Sequence, residues 1–384
     1  MLKSILLVSS LSLSVLPGVS AAQNNFTTTE GIQKSCELQE KKAFKLGNSN
    51  ADKQSQVLCR DLALLKQVTH WFDELKVNPN RDYTSKEFDA FVRKELSHIR
   101  KELSASRQVL EKLQLKAGEG LVMEPAQWQL DLNGDGKLST WEKYFFAVVK
   151  PGERPISFSL PSDDVKYYQE HFNLQARFQV DQSDVYWTLA YHQFFEGLVN
   201  MVLSFQLDVN DRKQMRIKMI DQATLQKSHA LIGAGLATSE RMRLSLLAET
   251  DDKDEWIPNP QQKNHVFPLA MDQEAFDIWG RFLNETIPLW NGKTLLAASK
   301  NAGGLLGASA KICEPGRGLN VAELFRKAPN YFDTNLSVKY ACMTIDQDHP
   351  PSQITKMAEE ALERGRNNPK SPEWNFLRYL YWVN

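Results

Sequence analysis

Residues 131–142 (DLNGDGKLSTWE) restrict this chain more than any other stretch. Oxygen-bearing side chains recur through it, and Gly136 stands at the sixth position, where a backbone wrapped round a small centre must turn sharply. Asp131, Asn133 and Asp135 can aim side-chain oxygens at one point. Lys137 would add only its backbone carbonyl, leaving its cationic side chain to water, and Ser139 would act through a bridging water. Glu142 would close the shell with both carboxylate oxygens, and Leu138 is the apolar residue that pins the loop to its surroundings. An all-oxygen shell of this kind suits a hard divalent cation.

The stretch matches the pattern D-x-[DN]-x-[DN]-G-x5-E at every specified position and resembles an EF-hand calcium loop. The resemblance implies Ca2+ as cofactor, with Asp131, Asn133, Asp135, Lys137, Ser139 and Glu142 as its ligands. Pro125 can open a short entering helix carrying Trp128 and Leu130. The exiting helix is expected over 140–149, burying Trp141, Phe145 and Val148 or Val149 before Pro151 stops it. Arms this short favour a static staple over a sensor that swings open. Stretches beginning at Asp181, Asp208 and Asp333 fail the pattern, so the hand is solitary.

The chain divides into a leader and two helical units. Residues 1–22 read as a signal peptide, with Lys3 before the apolar run 5–16 and small residues at 19–22. That run is too short to span a bilayer, and the most apolar later stretch, 194–207, contains Glu196, Asn200 and Gln206, so no span is expected after cleavage. Four cysteines remain, an even number that fits disulfides in an exported protein. Cys36 and Cys59 lie at similar distances on either side of a Gly47-Asn48-Ser49-Asn50 turn, so a helical hairpin would bring them together. Cys313 and Cys342 pair by elimination. A periplasmic or secreted address follows.

Residues 23–150 are expected to form a helical hairpin plus the calcium loop, with helices over 29–46 and 51–76 and from a Thr84/Glu87 capping box onward. Leu58, Leu62, Leu65, Val68, Phe72 and Leu75 make one stripe. Phe88, Val92, Leu96, Ile99, Leu103, Leu110 and Leu113 make a near-heptad seam facing it, a coiled-coil-like arrangement. Residues 151–162 are Pro-rich and read as a linker. Residues 163–384 read as a larger helical domain, so the fold class is all-α. Ser183 is expected to cap a helix with Trp187, Tyr191, Phe194 or Phe195, Leu198, Met201 and Val202 inward. Helices over 211–232 and 239–249 place Met215, Met219, Met242, Leu246 and Leu247 inward. Further helices are expected over 163–172, 272–290, 321–327, 351–365 and 372–381. His192 and His229 are read as satisfied polar groups, and the Gly-rich 301–310 stretch as a turn or a ligand-facing backbone.

Residues 249–268 (ETDDKDEWIPNPQQKNHVFP) are the second informative stretch. Asp251, Asp252, Asp254 and Glu255, with Glu249, could form a second acidic site, or a solvated run at a helix end. Acids at a helix C-terminus oppose its dipole, and Arg241 and Arg243 are candidate compensators. Trp256 and Ile257 are expected to fold back on the body. This stretch, the 184–195 helix and Gly316-Arg317-Gly318-Leu319-Asn320 together resemble an uncharacterised family of exported bacterial proteins.

Near-balanced charge, 46 basic against 47 acidic residues, argues against a nucleic-acid partner. No zincin, serine-hydrolase, Walker or dinucleotide motif occurs. The chain therefore reads as an exported calcium-binding protein with a structural metal and a second domain for an unidentified small ligand or protein partner. The alternatives are a calcium-stabilised cell-envelope enzyme and a scaffold working through the hairpin. Some helical peptidoglycan lyases are similar in carrying a lone EF-hand, but their Glu-Ser and Gly-Leu-Met-Gln elements are missing here.

Overall fold

The computed structural model describes residues 25–45, 47–77, 85–151, 153, 163–208, 216–269, 271–297, 313–332 and 338–367. The leader, Thr84, most of the 151–162 linker, Met215, the 301–310 stretch and the 372–381 helix lie outside them.

α1 (Thr29–Lys41) begins at Thr28, whose hydroxyl accepts the Gly31 N–H at 3.0 Å. It ends earlier than expected, in a turn where Ala43 and Phe44 both take a φ of 51°. Ser49 caps α2 (Asn50–Val77) by accepting the Asp52 N–H at 3.0 Å. The hairpin brings Cys36 and Cys59 together in a disulfide with Cα atoms 5.0 Å apart. α3 (Ser85–Leu110) packs against α2, with Arg60 and Glu102 paired at 2.7 Å between them. Leu103 and Leu110 of its stripe are buried, and Leu113 is buried in the turn just beyond the helix.

Two corrections concern the calcium-loop flanks. The entering arm is one 3-10 turn, Pro125–Gln127, and the exiting helix α4 is only Thr140–Tyr144. Phe145 is exposed, and Val148–Val149 form strand β2 instead of continuing the helix. Strand formation is also where the all-α expectation gives way: the protein is mostly helical but carries small antiparallel sheets. β1 (Leu121–Met123) pairs with β4 (Phe178–Val180), and β2 pairs with β3 (Phe172–Asn173). Segments on either side of the Pro-rich linker are thus hydrogen-bonded to one another. A third sheet joins β5 (Phe205–Asp208), β6 (Arg216–Met219) and β9 (Tyr331–Phe332). A fourth joins β7 (Leu296–Ala297), β8 (Arg317–Leu319) and β10 (Cys342–Thr344). The Cys313–Cys342 disulfide, Cα atoms 5.7 Å apart, ties the start of this last sheet's β10 to the chain before β8. Strands of two to four residues are too short for a period-two pattern to show in sequence.

The second half is built on α6 (Gln182–Leu203), α7 (Gln222–Ala248) and α8 (Gln273–Trp290), with α5 (Val165–His171) before them and α9 (Val321–Arg326) and α10 (Ile354–Asn367) after. α7 is one continuous helix where two were expected, and its Met242 and Leu246 are buried while Leu247 is exposed. Met219 is buried but in a strand, not a helix. Asp181, not Ser183, caps α6, accepting the Ser183 and Asp184 N–H groups at 2.8 and 3.0 Å.

The face of α6 differs from expectation in part: Trp187 and Phe194 pack against the main core and Met201 against a smaller one, as expected. Gln193, Glu196 and Asn200 are buried, whereas Phe195, Leu198 and Val202 are 50%, 43% and 51% exposed. Glu196 has partners there, pairing with Arg107 of α3 at 2.7 Å and lying 3.6 Å from Lys227 of α7, whereas the buried Asn200 side-chain amide has no hydrogen-bond partner among the described residues. Gly197 lets α7 come close, since a Cβ there would sit 2.6 Å from Ile232. The main core lies between α7, α8 and the loop that joins them, around Met242, Leu246, Ile257, Phe267, Phe276 and Trp279. Trp256 packs against Phe178 and Phe267 at ring separations of 4.7 and 5.4 Å, so the loop does fold back on the body. Among the described residues, no helix is long and apolar enough to cross a membrane. The two disulfides fit an oxidising compartment.

Candidate metal centre

The approach to the 131–142 loop is extended, and its alternate residues Trp128, Leu130 and Leu132 are buried. Period-two alternation therefore turns Asp131 and Asn133 to the other side, away from the core. Trp128 fixes the strand's depth by donating from Nε1 to the Phe26 carbonyl at 2.9 Å. Gly134 and Gly136, with φ of 75° and 77°, then fold the loop back. Asp131 accepts the Gly134 N–H on Oδ1 at 2.7 Å and the Gly136 N–H on Oδ2 at 2.9 Å. Asn133 accepts from Asp135 N at 3.1 Å, and Asp135 from Lys137 N at 2.8 Å. The Lys137 residue is exposed, as expected.

Glu142 closes this ring from α4. It is only 1% exposed. Its Oε1 accepts the Leu132 N–H at 2.8 Å, and its Oε2 accepts the Ser139 N–H at 2.9 Å and hydroxyl at 2.6 Å. The first bond ties the last residue of the loop to its second. Two residues of α2 hold the loop from outside: Thr69 donates to the Leu132 carbonyl, and His70 Nδ1 lies 3.0 Å from the Asn133 carbonyl. Sequence reasoning missed this pair, although two adjacent polar residues between the apolar Val68 and Phe72 were a visible signal.

The donor set fits a hard cation, since every inward side-chain group is an oxygen. The oxygens of Asp131, Asp135 and Glu142 are each held by groups of the loop itself, however, and do not converge on one another. Among the described residues the group of carboxylates that converges, with oxygens within 4.8 Å of each other, is Asp181, Glu249 and Glu255.

That second group assembles from distant parts of the chain. Asp181 and Asp184 stand at the start of α6, Glu249 at the end of α7, and Glu255 in the following loop. Ser183 donates its hydroxyl to Glu249, and Glu255 accepts the Lys253 N–H at 3.2 Å. Burial, reinforced by the charge of Asp181, pushes Glu249 up to about 9 and Glu255 up to about 8. Burial also raises Asp184 well above the ordinary range, and Asp181 above its own. At neutral pH the group must therefore hold protons or a cation. It borders a cavity of about 280 Å³ whose wall also carries Lys116, Glu119 and Lys253.

The acidic run expected as one site is thus divided. Glu255 joins the cluster and Asp251 borders the same cavity. Asp252 instead accepts the Lys263 and Asn264 N–H groups at 2.8 Å each, and Asp254 lies 3.7 Å from Arg177. Neither expected compensator reaches the run: Arg243 pairs with Glu240 at 2.7 Å, and Arg241 donates to Thr238 and covers the Tyr186 ring. Asp181 and Asp184 were not foreseen as members, because a helix-capping box explains both locally. No family model, curated protein or solved structure matches this chain.

Proposed function

We infer that this is an exported protein that binds one calcium ion in the 131–142 loop, where the metal stiffens the fold and does no chemistry. The buried Glu142, reaching from α4 to the Leu132 N–H, carries the reading. An acidic side chain kept out of water at the closing position is what a calcium loop requires. Calcium binding would exchange some of the loop's internal hydrogen bonds for metal–oxygen contacts at Asp131, Asn133, Asp135 and Glu142, with the Lys137 carbonyl and Ser139 completing the set. Because Thr69 and His70 grip the same loop, the ion would brace it against α2. At roughly millimolar ambient calcium and an affinity of order 10⁻⁴ M, binding adds about 1.4 kcal/mol to stability.

The helical second half serves as a binding body for a small apolar ligand. The large cavities between the hairpin unit and the helices that follow, with the outward apolar residues of α6, support this over a scaffold role for the hairpin, whose α3 packs on α2 and α6. Melting the mature protein in calcium and in chelator tests the metal reading. A shift upward of about 2 °C in calcium is expected, and superimposable curves would contradict it.

A further inference from the structure

Two apolar cavities meet at Asp61. The larger, about 900 Å³, is lined from α6 by Tyr191, Phe195 and Leu198, from α7 by Ile232 and Leu236, and from α8 by Phe282. The smaller, about 360 Å³, lies toward Trp128, Phe146, Phe178 and Trp256. Asp61, Trp187 and Thr188 border both. Together they have the size of a small-molecule site, apolar walls with a few fixed polar groups. The outward apolar residues of α6 form part of the wall of the larger one, which gives their exposure a use.

The polar groups at the junction define the ligand's head. His192 is buried, with Nδ1 2.8 Å from the Thr188 carbonyl and Nε2 3.1 Å from Asp61 Oδ1. Both partners are acceptors, so both ring nitrogens donate and the ring is an imidazolium. Ser106 also donates to Asp61 Oδ1, at 2.8 Å. Aspartate thus lies between serine and histidine, which rules out a serine nucleophile activated by this histidine. With His192 and Ser106 both spent on Oδ1, the junction keeps no free N–H for an anion. Asp61 Oδ2 has no partner among the described residues, and the side chain is 32% exposed. What remains is an acceptor facing an apolar space.

We propose that these two cavities form one site for a long-chain amphiphile whose uncharged head donates a hydrogen bond to Asp61, as an alkyl alcohol does, and that fatty-acid carboxylates are excluded. The proposal rests on the reading of the second half as a binding body and is independent of the calcium loop. The test uses the mature chain at pH 7.5 with N-phenyl-1-naphthylamine as fluorescent probe. 1-Dodecanol is expected to displace it at concentrations at least about tenfold below those needed for dodecanoate, because Asp61 Oδ2 can accept a hydrogen bond from the alcohol and none from a carboxylate. Each added methylene should tighten displacement roughly fourfold until the cavity is full.

Leu198→Trp, at an exposed position on the wall, should abolish probe binding without lowering Tm. Asp61→Asn, which supplies a donor, should bring dodecanoate level with dodecanol. Probe binding with dodecanoate displacing as well as dodecanol would overturn the head-group assignment while leaving a binding body. Absence of probe binding, or undiminished binding in Leu198→Trp, would overturn both.

Discussion

In the 131–142 loop the acid groups are answered one by one by backbone N–H donors, whereas Asp181, Glu249 and Glu255 converge on one another across three segments. The first arrangement is local: glycines at positive φ and a capping helix present donors to carboxylates a few residues away. The second is tertiary, made by the antiparallel packing of α6 on α7, which brings the carboxylates together. Acidity alone is therefore a poor guide to a metal site. What separates the two is whether the carboxylates are met separately by groups of their own loop or converge on one another across segments.

Four substitutions press on this contrast. The largest effect is expected at Glu142: Glu142→Gln should cost about 2 kcal/mol even in chelator, because an amide NH2 replaces an acceptor of N–H groups in a buried place, and should also remove the stabilisation by calcium. Denaturant melts in both conditions measure this, and a variant still stabilised by calcium would break the contrast.

His192→Gln comes next, at about 1–2 kcal/mol near pH 5.5. Burial opposes charge on this ring, but Asp61 and the Thr188 carbonyl outweigh it and hold the pKa above the ordinary value. A histidine raised in the folded state stabilises fully below its unfolded pKa, and the benefit is lost as pH rises through the folded one. The variant's deficit should thus shrink toward pH 9; a deficit constant with pH would contradict this.

Glu249→Gln should act in the opposite sense and raise stability. Its folded pKa of about 9 lies above the unfolded value, so the native state binds more protons and loses stability as pH climbs from the ordinary carboxyl range to about 9. In chelator the variant should match the parent near pH 4.5 and exceed it by a margin that grows toward pH 9. A loss at pH 9 would mean that the cluster is not strained by its own charge. The smallest effect is expected at Gly136→Ala: nothing lies within 4 Å of the added Cβ, so only the left-handed backbone is penalised, by about 1 kcal/mol. A neutral result would show that the loop relaxes its turn freely.

How much of this was legible in the sequence follows the same division. The loop is a contiguous code: Gly136 does turn at a positive φ and Glu142 is buried, but the oxygens of Asp131, Asp135 and Glu142 do not converge. Both cysteine pairings were readable too, Cys36–Cys59 from the symmetry of a hairpin and Cys313–Cys342 as the remainder. Helices with a strong stripe, such as α2 and α8, were expected within a few residues of their ends. The face of α6 was legible only in part, because Glu196 turns inward for partners on α3 and α7 that no local pattern reveals. Asp181 read only as the start of a failed calcium pattern, and the end of α7 beside it is what makes a cluster. The short strands needed partners as distant as Leu121 is from Val180.

Calorimetric titration of calcium into the mature protein, its Glu142→Gln variant and its Glu249→Gln variant tests the central assignment most directly. We expect one saturable event with a Kd of order 10⁻⁴ to 10⁻³ M, absent from Glu142→Gln and retained by Glu249→Gln. No heat from the parent protein, or heat that survives Glu142→Gln and disappears in Glu249→Gln, would contradict it.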